Sequence, residues 1–234
     1  MKIFLFTLFL LFFYSCSELQ IDQNQKPVLI SEQDLSDAFS KPVDVAHDTI
    51  PIAEEPKFLA AWDHIKNQEW TNLVLDTLDF HGHEMMLKTP KDILNFTTSK
   101  FNTPISRKQF YVALISCMAK YESGFKPEEK YTENFRGQDG QFIISRGLLQ
   151  ISGSSGRAYG CDIPKDHFAV LHDPKINLEC GMRILNRWLD RDGSISLLGG
   201  STESPKWLGG ARYWAVLRQP KVEKIKSCTL NLTK

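Results

Sequence analysis

The chain has 234 residues, with 28 Lys and Arg against 28 Asp and Glu, so its formal net charge is zero. No basic run stands out, and nothing electrostatic argues for nucleic acid as a partner. Hydrophobic residues make up 42% of the chain, with 15 Phe and 5 Trp, enough for one sizeable core.

Residues 3–15 are almost all Phe, Leu or Ile, follow Lys2 and run straight into Cys16. A membrane span needs about 20 apolar residues, and this run is shorter, so it reads as an export leader, residues 1–16. The stretch Phe13-Tyr14-Ser15-Cys16 resembles a bacterial lipobox, whose Cys becomes the lipidated first residue of the mature protein. Phe13 and Tyr14 depart from the usual Leu and small residue. The expectation is therefore a periplasmic or membrane-anchored lipoprotein held through Cys16, with plain secretion as the alternative. Residues 17–57 set polar residues among Pro27, Pro42, Pro51 and Pro56 without a sustained apolar period, which reads as a flexible tether.

From Phe58 the pattern changes. Phe58, Leu59, Trp62 and Ile65, then Trp70, Leu73, Leu75 and Leu78, recur at helical spacing, and two helices are expected in an N-terminal helical segment, residues 58–104. His81-Gly82-His83-Glu84 invites a metal reading, but no further spaced ligand accompanies it, and a polar turn between helices explains it. No metal is expected.

Ser106 can cap a helix that begins at Arg107, and Phe110, Leu114, Cys117, Met118 and Tyr121 then form one apolar stripe. Gly124 and Pro127 supply its stop. Glu122 falls in the last turn, where the helix field disfavours a negative charge and so favours the protonated carboxyl.

Beyond Cys16 the chain holds Cys117, Cys161, Cys180 and Cys228, an even set in a protein bound for an oxidising compartment. Four cysteines allow three pairings. Cys161 with Cys180, closing a short loop, and Cys117 with Cys228 are the expected pair, four buried thiols being the alternative.

Three segments follow one another in order: Glu122-Ser123-Gly124-Phe125-Lys126-Pro127, then Ser145-Arg146-Gly147-Leu148-Leu149-Gln150-Ile151, then Asn177-Leu178 with Cys180-Gly181 and Ile184-Leu185. Together they resemble the soluble lytic transglycosylase family and its relative, goose-type lysozyme, over residues 105–218. The resemblance implies a mainly α, lysozyme-like α+β domain over residues 105–234: a helical bundle around a glycan cleft, with a small β-hairpin near residues 135–151. It implies an enzyme that cleaves the β-1,4 bond between N-acetylmuramic acid and N-acetylglucosamine in peptidoglycan glycan strands. Glu122 would be the general acid/base, Ser123 would hydrogen-bond near the reacting sugar, and Gln150 would line the cleft. Gly147 would permit close backbone approach, and residues 177–185 would serve mainly packing. No cofactor is implied, and a monomer is expected.

The chain departs from both patterns between Glu122 and Gly147. An enlarged segment carries Glu133 and Gly137-Gln138-Asp139-Gly140, and the Gly-flanked Asp139 resembles the hairpin carboxylate of goose-type lysozymes. Asp139 either positions water or is a plain turn residue. Tyr213, in Ala211-Arg212-Tyr213-Trp214, is the nearest match to a family Ala-Tyr-Asn segment whose Tyr faces the site. It is expected in the cleft, packing into the core being the alternative. Hydrolysis and 1,6-anhydro formation both stay open. Two other functions compete: a wall-binding lipoprotein that has lost activity, and a muramidase specific for modified, deacetylated glycan.

Overall fold

The structure is a computed structural model that describes residues 56–66, 68–137 and 140–234. The leader, Cys16, most of the expected tether and Asp139 lie outside the described residues. Glu54–Lys234 forms one compact unit.

The chain enters through a single turn, α1 (Asp63–Lys66), then α2 (Glu69–His81) and α3 (His83–Leu87), with Gly82 at the junction. A β-carbon at Gly82 would stand 2.7 Å from the Leu78 carbonyl oxygen, which explains a glycine in that turn. The segment after α3 is tied to the far end of the chain. Buried Asp92 accepts hydrogen bonds from the backbone N–H groups of Ile195 (2.8 Å) and Ser196 (2.7 Å). A buried carboxylate needs such donors, and these two bind the N-terminal helices into the common core.

α4 (Pro104–Ser123) is the central helix. It starts earlier than Ser106 suggested, because Pro104 suits the first helical position and Thr103 is the cap. Ser106 is instead the reciprocal partner: Thr103 Oγ1 accepts from the Ser106 N–H, and Ser106 Oγ accepts from the Thr103 N–H, both at 3.1 Å. Its burial also differs from a one-sided stripe, since every residue from Phe110 through Ala119 is buried. Ala113, Ser116 and Ala119 are small enough to lie beneath neighbouring segments. Ser116 satisfies its hydroxyl by donating to the Ala113 carbonyl and accepting from the Ala61 N–H. The helix ends at Gly124, left-handed at φ 62°, as its stop signal indicated.

Three antiparallel strands follow in order β1 (Lys130–Arg136), β2 (Phe142–Arg146) and β3 (Ile151–Ser152). Tyr131 pairs with Ser145, and the register is irregular between Thr132 and Arg136. The hairpin thus starts earlier than residue 135. α5 (Gly153–Ala158) leads by irregular chain to α6 (Pro174–Asp192), which is capped by Asp173, stopped by left-handed Gly193 and packed on α2. A second hairpin, β4 (Ser196–Gly200) and β5 (Pro205–Gly209), carries no periodic signal long enough to read, and α7 (Val222–Leu232) closes the chain against α4. The fold is α+β: helices around one core, with two small antiparallel sheets.

Cys117–Cys228 joins α4 to α7, and Cys161–Cys180 joins the loop after α5 to α6. Both pairings match the sequence expectation and fit an oxidising, exported environment. Among the described residues no helix is long and apolar enough to cross a membrane.

Candidate active site

The last turn of α4 and the inner face of the first hairpin enclose a pocket of about 220 Å³, lined by Glu122, Ser123, Glu129, Tyr131, Glu133, Ser145 and Gln150. Three of the expected site residues, Glu122, Ser123 and Gln150, therefore meet in one place.

Glu122 is half-buried. Burial pushes its carboxyl from the ordinary 4.5 up to about 7, and the charge of Glu133 adds to the rise; the charge of Lys221 and the Val216 backbone N–H oppose it. The chain just beyond Glu122 is unusual, because Gly124 and Phe125 both sit in left-handed conformations, with φ 62° and 65°. A buried phenylalanine pays conformational strain there, offset by apolar burial and an edge contact with the His64 ring at 5.7 Å. This reversal turns the chain sharply into the hairpin that forms the opposite wall.

Ser123 is buried and donates its hydroxyl hydrogen to the Ala119 carbonyl at 3.1 Å, so what it offers the pocket is an acceptor oxygen. That differs from a free hydroxyl aimed at a sugar. Gln150 also has φ in the left-handed region, at 48°. Its amide nitrogen donates to the carbonyls of Gly147 (2.9 Å) and Glu129 (3.2 Å), while Oε1 is enclosed and has no hydrogen-bond partner among the described residues. An unmet acceptor in such a place suits a ligand hydroxyl or N–H.

The loop carrying Gln150 is pinned from outside. Asn177, fully buried, donates to the carbonyls of Arg146 (2.9 Å) and Leu171 (2.8 Å) and accepts from the Leu149 N–H (2.8 Å). The Trp214 indole donates to the Leu149 carbonyl at 2.9 Å. Gly147, at φ 75°, is required because a β-carbon would lie 2.1 Å from the Leu171 oxygen and 2.3 Å from the Asn177 amide nitrogen. Asn177, read from sequence as packing, holds the loop by hydrogen bonds instead.

Glu133 is the carboxylate that sequence reasoning left outside its site residues. It accepts a hydrogen bond from Ser145 at 3.0 Å. The sequence signal that points to it is strand alternation, which sets Tyr131 and Glu133 on one face of β1. Tyr213 is not among the residues lining the Glu122 pocket. It packs edge-on against Tyr159 and Trp214, and its hydroxyl bonds to Ser152 and Ser155; burial pushes its pKa up to about 12. No group of three metal-binding side chains occurs among the described residues.

Neither a protein-family model nor any curated protein matches the sequence. Among solved structures, wild-type DslA (form 2) shares 37% identity at a TM-score of 0.66, the match covering 76% of this chain and 98% of DslA. Two DslA variants match with the same values, each with one glutamate replaced by glutamine, at positions 11 residues apart. The same interval separates Glu122 from Glu133.

Proposed function

This chain belongs to the family of DslA, and on that premise we propose that it cleaves the β-1,4 glycosidic bond of peptidoglycan by acid/base catalysis in a lysozyme-like cleft, with Glu122 as the acid. The observation that carries the reading is the pairing of a carboxyl raised to about 7 with a second carboxylate in the same small pocket. Near neutral pH a substantial fraction of Glu122 holds its proton. It transfers that proton to the glycosidic oxygen as the bond to the anomeric carbon breaks and positive charge develops on the sugar. Glu133, fixed by Ser145, holds a water that attacks the anomeric carbon, and its carboxylate takes the proton that water releases. The product is then a reducing end. The spacing of the two substituted glutamates in DslA supports the same pair of residues.

A second reading concerns the substrate. Among the described residues Glu122, Glu129 and Glu133 line the pocket and no Lys or Arg does, Lys221 standing outside the lining while its charge opposes the rise at Glu122. That field favours a cationic sugar, so glycan bearing free amino groups in place of acetamides fits better than fully acetylated glycan.

Mass spectrometry of fragments released from acetylated and from deacetylated peptidoglycan tests both readings. Reducing ends released faster from the deacetylated polymer are expected. Anhydro-muramic ends would remove the water-holding role of Glu133, and no release from either polymer would leave wall binding without catalysis.

A further inference from the structure

The outer face of the same hairpin borders a larger groove. Ser145 and Arg146 are consecutive on β2, so their side chains leave opposite faces of the strand. Ser145 reaches the Glu122 pocket, and Arg146 reaches a groove of about 760 Å³ between the sheet, α5 and Phe168. Its size is that of a site for a small ligand or a short chain.

The groove carries positive charge on aromatic supports. The Arg146 and Arg157 guanidinium carbons stand 5.8 and 4.8 Å from the centre of the Phe168 ring, and that of Arg136 stands 4.1 Å from the centre of the Phe142 ring. Among the described residues no Asp or Glu lines the groove. Among the described residues Arg146 donates to the Ile144 carbonyl alone, and burial holds it below the ordinary guanidinium range. Arg157 has an enclosed Nη1 without a hydrogen-bond partner among the described residues. Guanidinium groups stacked on rings, with no counter-charge lining the groove among the described residues, are prearranged for carboxylates, which they bind through two parallel N–H donors.

We infer that this groove is a second subsite, one that takes the carboxylate-bearing stem peptide carried by the glycan. The inference rests on the peptidoglycan reading above. The glycan would lie on the inner face of the hairpin, and its muramic sugars bear the peptides. Fully extended, a four-residue stem reaches roughly 14 Å, enough to pass the free edge of β1 to the outer face. The acidic pocket and the basic groove thus divide the substrate, one facing the sugar and the other the peptide.

The test is calorimetric titration of the protein with the free tetrapeptide L-Ala-γ-D-Glu-meso-diaminopimelate-D-Ala, which has no glycosidic bond to cleave. Saturable binding is expected, weakened at least tenfold in Arg146→Gln and in Arg157→Gln. Ser154→Asp should weaken it similarly, because it sets a competing carboxylate at an exposed groove position and leaves both arginines in place. Absence of binding, unchanged affinity in all three variants, or equal binding of inorganic phosphate alone would overturn the subsite. The glycan reading is judged separately: binding of the peptide without any glycan cleavage keeps the subsite, whereas cleavage without peptide binding removes it.

Discussion

Ser145 on β2 donates its hydroxyl hydrogen to Oε1 of Glu133 on β1 at 3.0 Å, fixing the second carboxylate of the pocket from the facing strand. With this bond removed, the carboxylate keeps its charge and loses its aim.

Ser145→Ala should therefore lower kcat roughly tenfold with little change in KM, a positioning effect rather than a loss of binding. Its cost to stability should stay near 1 kcal/mol, the net worth of one hydrogen bond. Steady-state kinetics beside a denaturant curve separates the two. A change confined to KM would show that Ser145 touches substrate instead.

The raised carboxyl of Glu122 gives a pH dependence with a definite sign. A folded-state pKa of about 7 against an ordinary 4.5 means that the folded protein binds more protons than the unfolded chain between those values. The resulting stability is fully present below pH 4.5 and is lost as pH rises through 7. Above pH 7 the wild type carries a half-buried charge that Glu122→Gln lacks. The variant should be more stable there by on the order of 2–3 kcal/mol, and the gap should close below pH 4.5. Thermal melts of both proteins from pH 4 to 9 check this, and the wild-type catalytic rate should fall along the same upper limb.

Tyr213→Phe removes a hydroxyl that bonds to Ser152 and Ser155 and lies outside the glutamate pocket. Stability should drop by about 1 kcal/mol, while kcat changes less than about twofold. A large fall in kcat with normal stability would return Tyr213 to the reacting centre.

The two disulfides should differ in worth. Cys117–Cys228 closes a separation of 111 residues and Cys161–Cys180 one of 19. Loop-closure entropy then assigns about 5 kcal/mol to the first and about 3 kcal/mol to the second. Paired Cys→Ala variants compared by urea unfolding give that order or reverse it.

Much of the site was legible because its residues sit beside strong local signals. Glu122 precedes a glycine stop, and Gln150 ends a Gly-Leu-Leu-Gln run whose glycine the backbone demands. The even number of cysteines signalled two bridges, and the observed pairing is the expected one of the three that four cysteines allow. What stayed hidden depends on register and on distant partners. Glu133 gains its role from the pairing of β1 with β2, a contact with no local sequence mark. The all-round burial of α4 follows from what packs on it, since its small residues look neutral in sequence. Phe125 adopts a conformation that its side chain disfavours, and the Asn177 clamp reaches Leu149 and Arg146, 28 and 31 residues away.

The most direct test is kcat/KM of wild type and Glu122→Gln on the same purified peptidoglycan near pH 6, with folding checked by thermal melting. The account predicts a loss of at least about 10³-fold in the variant with a melting temperature equal to or above that of the wild type. Cleavage at the wild-type rate by a folded Glu122→Gln protein would contradict it.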